Sequence, residues 1–133
     1  MIQRPLTLLV LDDNLAVCRL GPKTGVPTWA SAGQFCSITR TADELSVVCP
    51  QSAVPEGVQC EGGWLCFRVA GAMDFCLVGV LASLVVPLAE AGVSVFAIST
   101  FDTDYLLVKE ADFEKAKAVL RQAGHIIDGK AVG

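Results

Sequence analysis

Ser99, Thr100, Asp102, Thr103 and Asp104 place five hydroxyl or carboxylate side chains in six consecutive positions, interrupted by Phe101. Hydroxyls donate and accept hydrogen bonds, and an ionised carboxylate accepts them with added strength from its charge. The flanking residues are of another kind. Val95, Phe96 and Ile98 precede the cluster and Tyr105, Leu106, Leu107 and Val108 follow it. Branched and aromatic residues suit a half-buried pleated surface, so residues 94–108 read as two short strands folded back on a polar turn. A turn tolerates polar residues for its own reasons. Five in six exceeds that need, which makes this turn a candidate ligand-reading surface.

Other residues with chemical potential are scattered. Asp74 stands just ahead of an apolar run and is placed to cap a helix start, where unpaired backbone N–H groups and the positive dipole end would seat an anion. Arg40 can hold a carboxylate bidentately or serve as a solvated strand-end charge. The single histidine, His125, follows the last helical segment and is expected to be exposed with no acid partner. Trp29 and Trp64 read as core anchors. The six cysteines, Cys18, Cys36, Cys49, Cys60, Cys66 and Cys76, contain no C-x-x-C pair and mostly alternate with apolar residues. They are expected to be reduced packing residues, since a metal site would need clustered ligands and usually histidine. No activated nucleophile or acid–base pair stands out, and no catalytic residue, metal or cofactor is expected.

The elements that must position these residues are legible from pattern. At 133 residues, 53% hydrophobic and 18% charged, the chain suits one compact unit or two small halves with a real core. A mean hydropathy of +0.54 raises the question of a membrane. The longest apolar run, 75–89, is bounded by Asp74 and Glu90 and falls short of the ~20 residues a spanning helix needs. Met1-Ile2-Gln3-Arg4-Pro5 leads straight into a strand-like run, so no leader segment and a cytoplasmic location are expected. A net charge of −4 without a basic cluster argues against nucleic acid. Strands are expected at 6–11, 15–20, 35–40, 45–49 and 64–70. A helix is expected over 77–91, stopped by Gly92 and disturbed by Pro87, and a second over 110–123 ended by Gly124. Gly62-Gly63 marks the half-way boundary, giving an N-terminal unit 1–62 with degenerate helices and a C-terminal unit 63–133. A repeat at an offset of 60 supports this, with Ile38 falling on Ile98, Leu45 on Tyr105 and Val48 on Val108.

With those elements in place, the β-α-β-β-α-β pattern and the run 87–100 (PLAEAGVSVFAIST) resemble the ACT domain. More narrowly, 98–108 (ISTFDTDYLLV) and 37–46 (SITRTADELS) are similar to stand-alone tandem ACT proteins related to aspartate kinase regulatory domains and CASTOR-type arginine sensors. The resemblance implies an α+β fold of two ferredoxin-like ACT units, an antiparallel sheet with helices on one face and a small ligand at a unit interface. It implies a pocket lined by Met73, Asp74, Phe75 and Leu77 in the first loop and by Ser99, Thr100, Asp102, Thr103 and Asp104 in the hairpin. Gly71 is followed by Ala72-Met73-Asp74, a departure from the glycine pair of many family members. A non-catalytic regulator or allosteric sensor that binds a small molecule, an amino acid, is the expected function. A homodimer and a regulated protein partner are the expected associations. A regulatory subunit that binds partners and no ligand, and a thiol-based redox enzyme, are the alternatives.

Overall fold

The run LTLLVL forms strand β1 (Thr7–Val10), and LAVCRL forms β2 (Leu15–Leu20). The structure, a computed structural model, describes residues 5–70 and 79–130. Within them follow β3 (Ser37–Arg40), β4 (Leu45–Pro50), β5 (Cys60–Val69), helix α1 (Val80–Glu90), β6 (Phe96–Ser99), β7 (Asp104–Lys109), helix α2 (Phe113–Gln122) and β8 (Ile126–Lys130). The chain divides into two compact units. One is residues 13–64; the other joins the residues up to 12 with those from 65 onward.

This division differs from the boundary drawn at Gly62-Gly63, for two physical reasons. First, the glycines lie inside β5. Between the pairs Leu15↔Trp64 and Val17↔Glu61, one residue of β2 faces two of β5. Gly63 adopts φ +77° and its N–H donates to Gln51 Oε1 at 2.7 Å. That is a β-bulge, in which glycine supplies the left-handed residue, so the glycine pair re-aims a strand and does not end a unit. Second, β1 pairs antiparallel with β5 (Leu8↔Val69, Val10↔Phe67) and parallel with β8 (Leu8↔Ile127). It therefore belongs with the C-terminal unit.

The unit 13–64 has strand order β3-β4-β2-β5, all antiparallel. Its core is small: Ala16, Cys18, Ala30, Leu45, Val47 and Cys49, with Leu20, Trp29, Val54 and Val58 against it. Single 3-10 turns, Thr28–Ser31 and Gln51–Ala53, stand where the sister unit has helices.

The other unit has strand order β6-β7-β5-β1-β8. Leu8, Phe67, Val69, Leu106 and Val108, alternate residues of β1, β5 and β7, pack against Leu84 and Leu88 of α1 and Ala116 and Leu120 of α2. Both helices thus cover one face of the sheet, the ferredoxin-like α+β arrangement expected. The Phe67 and Phe113 rings stack at 5.3 Å. Each helix ends on a Schellman motif: Val93 N–H donates to Leu88 O and Gly92 N–H to Ala89 O, and His125 N–H donates to Leu120 O and Gly124 N–H to Arg121 O. Gly92 (φ +78°) and Gly124 (φ +103°) supply the left-handed residue each motif requires.

Pro87 lies within α1 and has no N–H for the carbonyl of Ser83. The ring of His125 fills that place. His125 Nε2 lies 3.1 Å from Ser83 O, and Nδ1 lies 3.1 Å from the backbone nitrogen of Leu6. A carbonyl accepts and an amide donates, so the ring is neutral with its proton on Nε2. His125 is 3% exposed, contrary to the expected surface position. The expectation overlooked that a C-terminal cap residue turns back toward its own core.

Candidate functional site

The polar turn closes the β6–β7 hairpin, in which Phe96↔Leu107, Ala97↔Leu106, Ile98↔Tyr105 and Ser99↔Asp104 pair. Thr100 N–H donates to Thr103 O at 2.8 Å, Thr100 Oγ1 donates to the same carbonyl at 3.0 Å, and Thr103 N–H returns to Thr100 Oγ1 at 3.2 Å. Because Thr100/Thr103 is a hydrogen-bonded pair, Ser99/Asp104 is the next, non-hydrogen-bonded one, where side chains stand closest. Ser99 Oγ accordingly donates to Asp104 Oδ1 at 2.6 Å. Thr103 Oγ1 donates to Val69 O at 2.7 Å and is buried, pinning the turn to β5. Asp102 is exposed beside Phe101, which is 81% exposed.

The unit 13–64 contains the same turn. Thr41 N–H donates to Glu44 O at 2.9 Å, and Thr41 Oγ1 accepts from Asp43 N–H and Glu44 N–H at 3.1 and 3.2 Å. The pairs Ser37↔Val48 and Arg40↔Leu45 match Phe96↔Leu107 and Ser99↔Asp104 at a spacing of 59 residues. The repeat offset is therefore 59, one less than the sequence comparison gave. A one-residue slip reverses every side chain of a strand. In the corrected alignment Val47 falls on Leu106 and Cys49 on Val108, all four in the cores of their units. Leu45, wholly buried, then falls on Asp104, which is 8% exposed.

The five polar residues thus separate. Thr100 and Thr103 build a turn that recurs in the sister unit, and Asp102 occupies its tip. Asp104 is the departure, a carboxylate on the core-facing side of β7 where the equivalent residue is leucine, with the neutral Ser99 hydroxyl as its partner among the described residues. Met73, Asp74, Phe75 and Leu77 lie outside the described residues, so the proposed first-loop wall has no geometry here. Arg40 aligns with Ser99, not Thr100, and its guanidinium donates to the carbonyls of Pro22 and Thr24, tying a loop of its own unit. Burial pushes the Cys66 thiol up to about 12, which makes it a packing residue with no nucleophilic character near neutral pH. Among the described residues no cluster of His, Cys, Asp and Glu suits a metal ion.

The ACT domain family model matches residues 59–122, and an N-terminal-domain model matches 13–57. The chain is an ACT-domain protein. It resembles a protein from Agrobacterium tumefaciens solved by structural genomics at 38% identity, TM-score 0.91, over 97% of this chain and 96% of that one. A Vibrio cholerae protein of unknown function, described as a possible transport protein, matches at 16% identity and TM-score 0.74 over 89% of each chain. The regulatory subunit of aspartate kinase from Thermus thermophilus, in its ligand-free form, matches at 13% identity and TM-score 0.62 over 86% of this chain and 97% of that one. At such identities the last two likenesses speak for the fold. No curated protein matches the ACT-domain chain by sequence. Among the described residues no helix is long and apolar enough to cross a membrane.

Proposed function

We propose that this ACT-domain protein is a non-catalytic regulator that binds an amino acid beside the β6–β7 hairpin. The observation that carries the reading is Asp104. Burying a carboxylate costs several kcal/mol unless charge or hydrogen bonds compensate it. The fold does not demand an acid there, because the sister hairpin holds Leu45 in the equivalent place. A ligand ammonium is the complement this carboxylate lacks among the described residues, and Ser99 holds it in orientation. In this proposal the ligand carboxylate meets the first loop, Met73, Asp74, Phe75 and Leu77, while Ser99, Thr100, Asp102 and Thr103 shape the hairpin side. The protein acts in the cytoplasm as a homodimer and passes the ligand signal to a regulated protein partner. Exposed Val26 and Ile38, in a unit with only 3-10 turns for cover, favour association.

A thermal-shift screen against the twenty amino acids, followed by calorimetric titration, tests the proposal. Asp104→Asn is near-isosteric and removes a charge-assisted bond worth ~1.5–3 kcal/mol, so affinity falls roughly ten- to a hundredfold. Equal binding by wild type and Asp104→Asn removes the site. No shift with any amino acid favours a partner-binding module instead. A concentration-independent monomer mass in light scattering overturns the dimer.

A further inference from the structure

Strand register gathers four of the six cysteines on one face of the unit 13–64. Cys18 on β2 lies directly opposite Cys60 on β5. Cys49 on β4 lies opposite Ala16, diagonal to Cys18. Cys36, one residue before β3, continues the register Ser37↔Val48 to face Cys49. The result is a row of thiols from one edge of the unit's strands to the other, in which Cys18 and Cys49 are buried and Cys36 and Cys60 are exposed. Cys18 thus stands between Cys60 on one neighbouring strand and Cys49 on the other.

The pairing type at Cys18 decides what this row can do. Arg19 N–H donates to Gln59 O at 2.9 Å, which makes Arg19/Gln59 a hydrogen-bonded pair and its neighbour Cys18/Cys60 a non-hydrogen-bonded one. Such pairs hold their Cα atoms ~4.5 Å apart, at the short end of the ~4.4–6.8 Å that a disulfide spans. That spacing is compatible with a disulfide joining the two strands at this pair. We propose that Cys60 and Cys18 form a reversible oxidation site, at which hydrogen peroxide converts the thiol pair into a cross-strand disulfide.

The chemistry starts at Cys60, the exposed partner. Its thiolate attacks a peroxide oxygen; the S–O bond forms, the O–O bond breaks and the leaving hydroxide takes up a proton, giving a sulfenic acid. Cys18 then attacks the Cys60 sulfur; the S–S bond forms, the S–O bond breaks, and the Cys18 proton leaves with the hydroxide as water. The two thiols together lose the two electrons that the peroxide gains. Cys18 is buried and Cys60 exposed, so the peroxide reaches Cys60 first and Cys18, directly opposite, is placed to resolve the sulfenic acid. A thiol reductant reverses the step by thiol–disulfide exchange, returning both cysteines to thiols as it is itself oxidised.

Treating the whole protein with hydrogen peroxide, alkylating the remaining thiols in denaturant and mapping peptides by mass spectrometry tests the assignment. A species joining the Cys18 and Cys60 peptides is expected, lost on treatment with dithiothreitol. Cys36→Ser retains the cross-link, and Cys60→Ser, at an exposed position, reduces it to the level of untreated protein. Alkylatable Cys18 alongside a Cys60 oxidised to sulfinic acid overturns the proposal, as does a cross-link that runs through Cys36 and Cys49 instead. The wild-type map decides by itself should a variant fold poorly.

Discussion

His125→Phe tests the reading that one imidazole completes a helix that proline leaves incomplete. The substitution keeps a planar ring of similar size, so the cavity term is small, but it removes both hydrogen bonds. Ser83 O loses its donor and Leu6 N–H its acceptor, each at 3.1 Å in the native chain. Leaving a buried backbone group unpaired costs ~1–3 kcal/mol, so the variant should lose ~2–6 kcal/mol, a large part of a small domain's ~5–15. Pro87→Ala separates the two halves of that loss. Alanine returns an N–H four residues beyond Ser83, and the carbonyl can accept it beside His125 because it has two lone pairs. In the Pro87→Ala background His125→Phe should then cost only the Leu6 share, ~1–3 kcal/mol. Urea denaturation of wild type, both single variants and the double variant closes the cycle. If His125→Phe costs the same in both backgrounds, His125 does not stand in for the missing proline N–H, and the account of α1 is wrong.

Three further outcomes follow from the same geometry. Thr103→Val should destabilise the fold by ~1–2 kcal/mol, since it strips the buried donor from Val69 O, whereas Asp102→Asn at the turn tip should stay within ~0.5 kcal/mol by chemical denaturation. Gly63→Ala should cost ~1–2 kcal/mol because Gly63 sits at φ +77°, and a thermal melt unchanged from wild type would contradict the bulge. Burial raises the Cys66 thiol from an ordinary 9.0 to about 12, so above pH 9 the unfolded chain releases a proton that the folded chain keeps. Stability from this group is complete below pH 9 and declines from there toward pH 12; Cys66→Ala should flatten that limb of a stability–pH curve.

Element types were legible wherever period and punctuation agreed. The apolar stripe of α2 and the stops at Gly92 and Gly124 needed only local pattern, and all appear where expected. What the sequence concealed was register. Matching classes of residue cannot distinguish an offset of 60 from 59, because Val, Leu and Tyr suit either face of a half-buried strand. Only the hydrogen-bonded turns at Thr41 and Thr100 fix the alignment, and with it the contrast between Leu45 and Asp104. The cysteines were hidden in the same way. Spacing along the chain shows no pair, but antiparallel pairing sets Cys18 against Cys60 across more than forty intervening residues. Polar residues in the turn were over-read, since Thr100 and Thr103 are spent on the backbone. Gly62-Gly63 was misread because a bulge and a linker use the same residue.

The place of β1 also governs how the chain can be made. Its neighbours are β5 and β8, and the parallel pairing with β8 joins residues as distant as Leu8 and Ile127. A ribosome therefore releases β1 long before its second partner, β8. The unit 13–64 is synthesised whole before β5 is complete, while LTLLV has no neighbour to pair with until β5 emerges and keeps one bare edge until β8 does. Non-local pairing of this kind slows folding, and an unpaired apolar strand is a template for association in the meantime. Production of this protein should thus be sensitive to translation rate and to chaperone supply, even though the finished fold has low charge and an ample core.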